Sequence, residues 1–127
     1  MLNERRCATT IAVADIDRAV AWYRDKLGLD PVDKTPDGGM RYDCAGGTSF
    51  AIYPSQFAGT AKGTVMGWET SSLDSDMEEL RSRGVTFEEY DFPGLKTENG
   101  VATFGDDRGC WFKDADGNIL ALFESKR

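Results

Sequence analysis

The stretch Gly109-Cys110-Trp111-Phe112-Lys113-Asp114-Ala115-Asp116-Gly117-Asn118-Ile119-Leu120-Ala121-Leu122-Phe123-Glu124 reads as two strands, about 109–113 and 118–124. Asp114-Ala115-Asp116-Gly117 is the tight turn between them. The second strand has a counterpart earlier in the chain. Phe50-Ala51-Ile52-Tyr53 repeats the pattern of Leu120-Ala121-Leu122-Phe123. Upstream the match continues. Ile16-Asp17 opens one helix as Leu73-Asp74 opens another, Arg24 answers Arg81, and Gly28 answers Gly84. A unit repeated in this way cannot close a core alone and needs its twin.

The elements of each unit follow from periodicity. Residues 7–14 read as a strand, and Asp15 is a good N-cap. Apolar residues then recur at helical spacing at Ile16, Ala19, Val20, Tyr23 and Leu27, with Gly28 closing the helix. Strands at about 31–35, 40–45 and 48–54 complete module one, about 6–54. Residues 55–63 are small and polar and read as a linker. Module two, about 64–124, restarts with a strand at 64–70 and a helix at 74–83, whose inner face is Met77 and Leu80. A strand at 85–90 precedes the closing pair. The Gly-rich stretch 91–108 reads as connection, with a short strand at Val101–Phe104. The fold class is α+β: two βαβββ modules in one domain spanning 1–127.

Composition narrows the chemistry. The chain has 127 residues, 15 Lys+Arg against 22 Asp+Glu, and a net charge of −7. Nucleic acid is not an expected partner, because phosphate binding needs clustered Lys and Arg. Nor is a membrane surface, since acidic proteins are repelled by anionic lipid and attract cations instead. Solubility alone also accounts for such a charge. There is no histidine, which removes His-based triads and His-bearing metal sites. Three cysteines, Cys7, Cys44 and Cys110, form no CxxC and suggest reduced thiols. Cys110, beside Trp111, is the one to test for reactivity. The opening residues lack a signal-peptide core, and no run reaches the roughly 18 apolar residues of a membrane span. A cytoplasmic location is the expectation.

Three segments carry a resemblance: Ile11-Ala12-Val13-Ala14-Asp15-Ile16-Asp17, Trp22-Tyr23-Arg24-Asp25-Lys26-Leu27-Gly28-Leu29, and residues 111–120 of the closing hairpin, where Ala115 stands at a usual Pro. In this order and spacing the chain resembles the vicinal oxygen chelate superfamily. That group includes glyoxalase I, extradiol dioxygenases, fosfomycin-resistance enzymes and bleomycin-binding resistance proteins. The resemblance implies a curved, U-shaped mixed sheet with helices outside, a ligand site inside, and a homodimer. It also implies four inward metal-ligand positions. In this chain they fall on Ala8, Ala51, Val65 and Ala121, none of which can coordinate a metal. No metal and no other cofactor are expected.

Alternation gives the two faces independently. Ile11, Val13, Phe50, Ile52, Met66, Trp68, Leu120 and Leu122 form a large apolar set suited to pack under helices. The opposite set is mostly small: Ala8, Thr10, Ala12, Ser49, Ala51, Val65, Gly67 and Ala121, with Tyr53, Glu69 and Phe123. Such a face leaves space for a ligand or for a subunit interface. Glu69 is a candidate pocket acid or a solvated strand end. Tyr53 and Phe123 are repeat-equivalent and either stack on a flat ligand or fill core. One of Trp111 and Phe112 faces the pocket, as does one of Tyr42 and Asp43. These readings point to a metal-free protein that sequesters an aromatic, cationic small molecule. Two alternatives stay open: an enzyme of the same superfamily with unconventional residues such as Glu69 and Asp43, and a non-catalytic structural or regulatory dimer.

Overall fold

The computed structural model describes residues 1–125. The elements run β1 (Thr9–Val13), α1 (Ile16–Leu27), β2 (Asp33–Lys34), β3 (Met40–Asp43), β4 (Ser49–Pro54), β5 (Thr64–Thr70), α2 (Leu73–Ser82), β6 (Asp91–Phe92), β7 (Leu95–Glu98), β8 (Val101–Phe104), β9 (Asp107–Lys113) and β10 (Ile119–Glu124). The Asp15 carboxylate accepts the Arg18 N–H at 3.0 Å and starts α1. Gly28, at φ 70°, ends it in the left-handed region, where its N–H donates to the Arg24 carbonyl.

The curved surface consists of two hydrogen-bonded sheets, ordered β1-β4-β3-β2 and β5-β10-β9-β8-β7-β6. In both, the first strand of the module pairs in parallel with the last, β1 with β4 and β5 with β10. Parallel neighbours need a crossover, which α1 and α2 provide. The repeat seen in the sequence is therefore a repeat of topology. No helix among the described residues is long and apolar enough to cross a membrane.

Module two departs from the expectation in one region. Residues 85–90 form no strand. Phe87 makes a single bridge to Phe112, and the Glu88 N–H donates to the Trp111 carbonyl at 2.8 Å. The reason is that β9 shares its free edge. Its first half pairs with β8 and only its second half is left for 87–88. The stretch 91–108, expected to be mostly connection, instead forms the hairpins β6–β7 and β7–β8 and the start of β9. Asn99-Gly100 makes one turn with both residues at positive φ, a backbone that Gly adopts freely and Asn tolerates.

The main core lies between the helices and the sheets. Ile11, Val13, Phe50, Ile52, Phe112 and Leu120 project from the strands onto Ala19, Tyr23, Leu73 and Met77. The two modules thus share one core. They are also tied by the 114–118 turn. The buried Tyr23 hydroxyl of α1 donates to Asp114 Oδ2 at 2.8 Å. Asp114 further accepts the backbone N–H groups of Asp116 and Asn118 at 2.9 Å each, and the Asn118 amide at 3.0 Å. That amide also donates to the Ala12 carbonyl of β1 at 2.8 Å. Burial, followed by the Asp114 charge, pushes the Tyr23 phenol far above its ordinary value.

Tyr42 offers an internal contrast. Its ring stacks on Phe50 at 4.7 Å, and burial pushes its phenol up to about 12. Its buried hydroxyl has no hydrogen-bond partner among the described residues. Tyr23→Phe removes a bond to a charged group and is expected to cost about 1.5–3 kcal/mol. Tyr42→Phe removes an unpaired buried hydroxyl of the same chemistry, so it should be neutral or mildly stabilising. Urea unfolding of the two variants beside the parent measures both. Equal losses would refute the contrast.

Candidate functional site

With Phe112, Leu120 and Leu122 turned toward the helices, their neighbours Trp111, Ala121 and Phe123 face the opposite, concave side of the six-stranded sheet. The register brings Ala121 between Gly67 and Trp111, and Phe123 between Glu69 and Gly109. The small residues there act as seats. A Cβ on Gly67 would lie 2.5 Å from the Phe123 ring, and one on Gly109 would lie 3.4 Å from it. Phe123 therefore rests on bare backbone. Trp111 in turn packs on Ala102 and Ala121 in a second, smaller core.

Around Trp111 stand Tyr90, with ring centroids 5.8 Å apart at 72°, and Phe104, at 6.5 Å and 88°. Trp111 is 7% exposed, whereas Phe104 and Phe123 are 48% and 42% exposed. The result is an aromatic shelf with a rigid base and accessible edges. Two clefts meet on it. One of about 900 Å³ is bounded by Glu69, Phe104, Asp107, Arg108, Phe123 and Glu124. The other, of about 540 Å³, is bounded by Lys62, Tyr90, Phe92, Phe104, Trp111 and Lys113, among others. Phe104 belongs to both.

The sequence-predicted residues divide between this shelf and other places. Glu69, Trp111 and Phe123 come together on it, and Glu69 is exposed. Tyr53 and Asp43 lie on the corresponding face of the other sheet, with Asp43 exposed and paired to Arg41 at 2.9 Å. Tyr42 and Phe112 are corrections to the candidate set. Tyr42 pairs with Phe50, and Phe112 with Leu120, so both point into the helix-side core. Val65 is also reassigned. A register shift between Ile119 and Leu120 leaves it out of the ladder, packed against the main core. Cys110 is buried, and desolvation pushes its thiol up to about 11, which makes it a poor nucleophile at neutral pH.

Phe104, Tyr90, Phe92 and Lys62 were missed. The alternation Ala102/Phe104 against Val101/Thr103 was the available signal, but a face can be assigned only once β8 is known to pair with β9.

A metal does not fit this site. The four positions at which the resemblance placed ligands carry the alkyl side chains of Ala8, Ala51, Val65 and Ala121. Among the described residues no three Cys, Asp or Glu side chains gather around a common point.

One rim of the shelf is fixed by charge. Arg108 holds Glu124 at 2.9 Å and both oxygens of Asp74 at 3.0 Å. Glu124 also accepts the Leu73 N–H at 2.9 Å, satisfying a free donor at the start of α2. The Leu73 N–H and then Arg108 hold the Glu124 carboxyl below its usual range, and Arg108 does the same for Asp74. Both contributions are present above the ordinary carboxylate pKa near 4 and fade as pH falls through the lowered values. Arg108→Gln should flatten the loss of stability below about pH 4, chiefly through Asp74. Urea unfolding across pH 2.5–7 tests it, and an unchanged acid limb would contradict the assignment.

The model of the Glyoxalase/Bleomycin resistance protein/Dioxygenase superfamily matches residues 7–122. No match was found among curated proteins. Among solved structures, the chain is similar to a glyoxalase/bleomycin resistance protein from Catenulispora acidiphila DSM 44928, at 26% identity and TM-score 0.66, covering 94% of this chain and 97% of that one. It is similar to TnmS3, an antibiotic binding protein from Streptomyces sp. CB03234, at 20% identity and TM-score 0.64, covering 97% and 98%. It is also similar to a genomically encoded fosfomycin resistance protein from Listeria monocytogenes, at 14% identity and TM-score 0.67, covering 97% and 94%. The last two likenesses carry the fold alone.

Proposed function

The chain belongs to the glyoxalase/bleomycin resistance protein/dioxygenase superfamily, and from that premise we propose that it works by capture, holding a flat aromatic molecule on the shelf without a metal. The observation that carries this reading is the half-exposed pair Phe104 and Phe123 beside Trp111, on a base of glycine and alanine. Monomeric proteins rarely leave such a patch open without a use for it. A rigid aromatic wall also binds a ring with little loss of side-chain entropy. The antibiotic binding protein of the same fold is a precedent for small-molecule binding on such a scaffold.

Charge refines the ligand. Among the described residues the larger cleft is lined by Glu69, Asp107 and Glu124 and by Arg108, and the whole chain is at −7. A cationic group is favoured at this end by field and by contact with the ring faces. The flat aromatic cation proflavine is the probe. It should quench tryptophan fluorescence, and its affinity should fall as salt rises. Phe104→Ala with Phe123→Ala should weaken it by roughly tenfold or more, at about 1–3 kcal/mol for loss of stacking. Unchanged affinity in the double variant would overturn the reading.

The protein is further proposed to act as a homodimer, with the exposed aromatic edges contributing to a groove between copies. Sedimentation equilibrium at micromolar concentration should give twice 14.0 kDa. A monomer throughout that range would refute it.

A further inference from the structure

The two clefts differ in charge although they share Phe104. At the Glu69 end, the described lining residues include three carboxylates and one guanidinium. At the other end, Lys62 and Lys113 stand against one carboxylate, Glu88. Lys113 is engaged by Glu88 at 3.4 Å. Lys62 is exposed, lines the cleft, and forms no ion pair with any described residue. The Tyr90, Phe92 and Trp111 rings line the same cleft. In a protein of net charge −7, an unpaired ammonium beside an aromatic wall is a local reversal of sign. Such a wall on its own would welcome a cation, but the Lys62 ammonium, not offset by an ion pair as Lys113 is by Glu88, opposes one and favours an anion.

We propose that the Lys62 end of the shelf is an anion subsite, and that the ligand is an aromatic acid that stacks its ring on Tyr90 and Trp111 and presents its carboxylate to Lys62. This rests on the capture reading and extends it. Thr64, beside Lys62, and Glu69 pair with Ile119 and Phe123, four residues apart on β10, about 13 Å at the rise of an extended strand. A ligand filling both clefts is therefore elongated and amphoteric, with its acid at the lysine end and its cation at the Glu69 end. A short ligand uses one end only, which allows the two ends to be probed separately.

The test uses two probes with the same ring and opposite charge, 2-naphthoate and 2-naphthylmethylammonium, titrated by tryptophan fluorescence into the full chain. Four proteins are compared: the parent, Lys62→Glu, Lys62→Gln and Phe104→Ala. Circular dichroism and urea midpoints confirm that each is folded. Phe104→Ala should weaken both probes, because both stack on the shelf. Lys62→Glu should weaken naphthoate by roughly threefold to tenfold, the range of an exposed ion pair and its reversal. Lys62→Gln should lie between, and the ammonium should bind Lys62→Glu as well as or better than the parent. If Phe104→Ala weakens both probes while Lys62→Glu shifts them equally or not at all, the anion subsite is overturned and the shelf stands. If neither probe binds, or Phe104→Ala changes neither, the capture reading fails and takes the subsite with it.

Discussion

The buried Asp114 carboxylate is the constraint on which the arrangement of the two modules depends. An ionised carboxylate inside a protein is costly unless hydrogen bonds surround it. Here the Tyr23 hydroxyl, two backbone N–H groups and the Asn118 amide all converge on it. Tyr23 belongs to module one and the rest to module two, so the carboxylate is satisfied only when the modules are docked. Arg18 adds a surface arm at 2.9 Å from Asp116, and Asn118 adds the link to β1. Two of the segments that stood out in the sequence, the end of α1 and the closing turn, are thus the two halves of one contact.

Docking fixes the faces. Once Tyr23 and the turn are joined, α1 can cover only the side of the sheets that carries Phe50, Ile52 and Leu120. The alternating residues must then face away from the helices, and on the six-stranded sheet they are small where rings need seats. The glycines at 67 and 109 and the alanines at 102 and 121 leave no general void. They bring Phe123 and Trp111 close to the backbone, so that the rings present edges and faces at fixed positions. Overpacking such a base would cost stability before it altered the surface.

The βαβββ order of module one and α1 with both its caps were legible because periodicity and capping are local signals. The repeat was legible because topology was duplicated along with sequence pattern. The shelf was half legible. Phe123 and Glu69 could be placed by alternation within single strands. The choice between Trp111 and Phe112 could not, because one residue of register exchanges the faces. Tyr42 was ambiguous for the same reason, and its pairing with Phe50 decides it. Phe104 and Tyr90 depend on hairpins between 91 and 104 whose turns look like loop in the sequence. Val65 was misplaced by a bulge that no periodic reading detects.

The same hairpins break the symmetry of the duplication on the concave side. Sheet one has four strands, and its concave face carries Arg41, Asp43, Ala51 and Tyr53, with the first two paired to each other. Sheet two has six, and the added strands carry Phe92 and Leu95 beside Trp111. Extending one sheet widens only that module's aromatic surface. It also lengthens the path from the acidic to the basic end, because Lys62 sits on the linker before β5 while Glu69 sits near its far end. A duplicated scaffold with equivalent faces would offer two similar small sites. The unequal strands, together with the inward position of Phe104, merge the space on one module into a single long surface with opposite charges at its ends. That geometry suits a ligand held along its length by its rings and sorted by its ends.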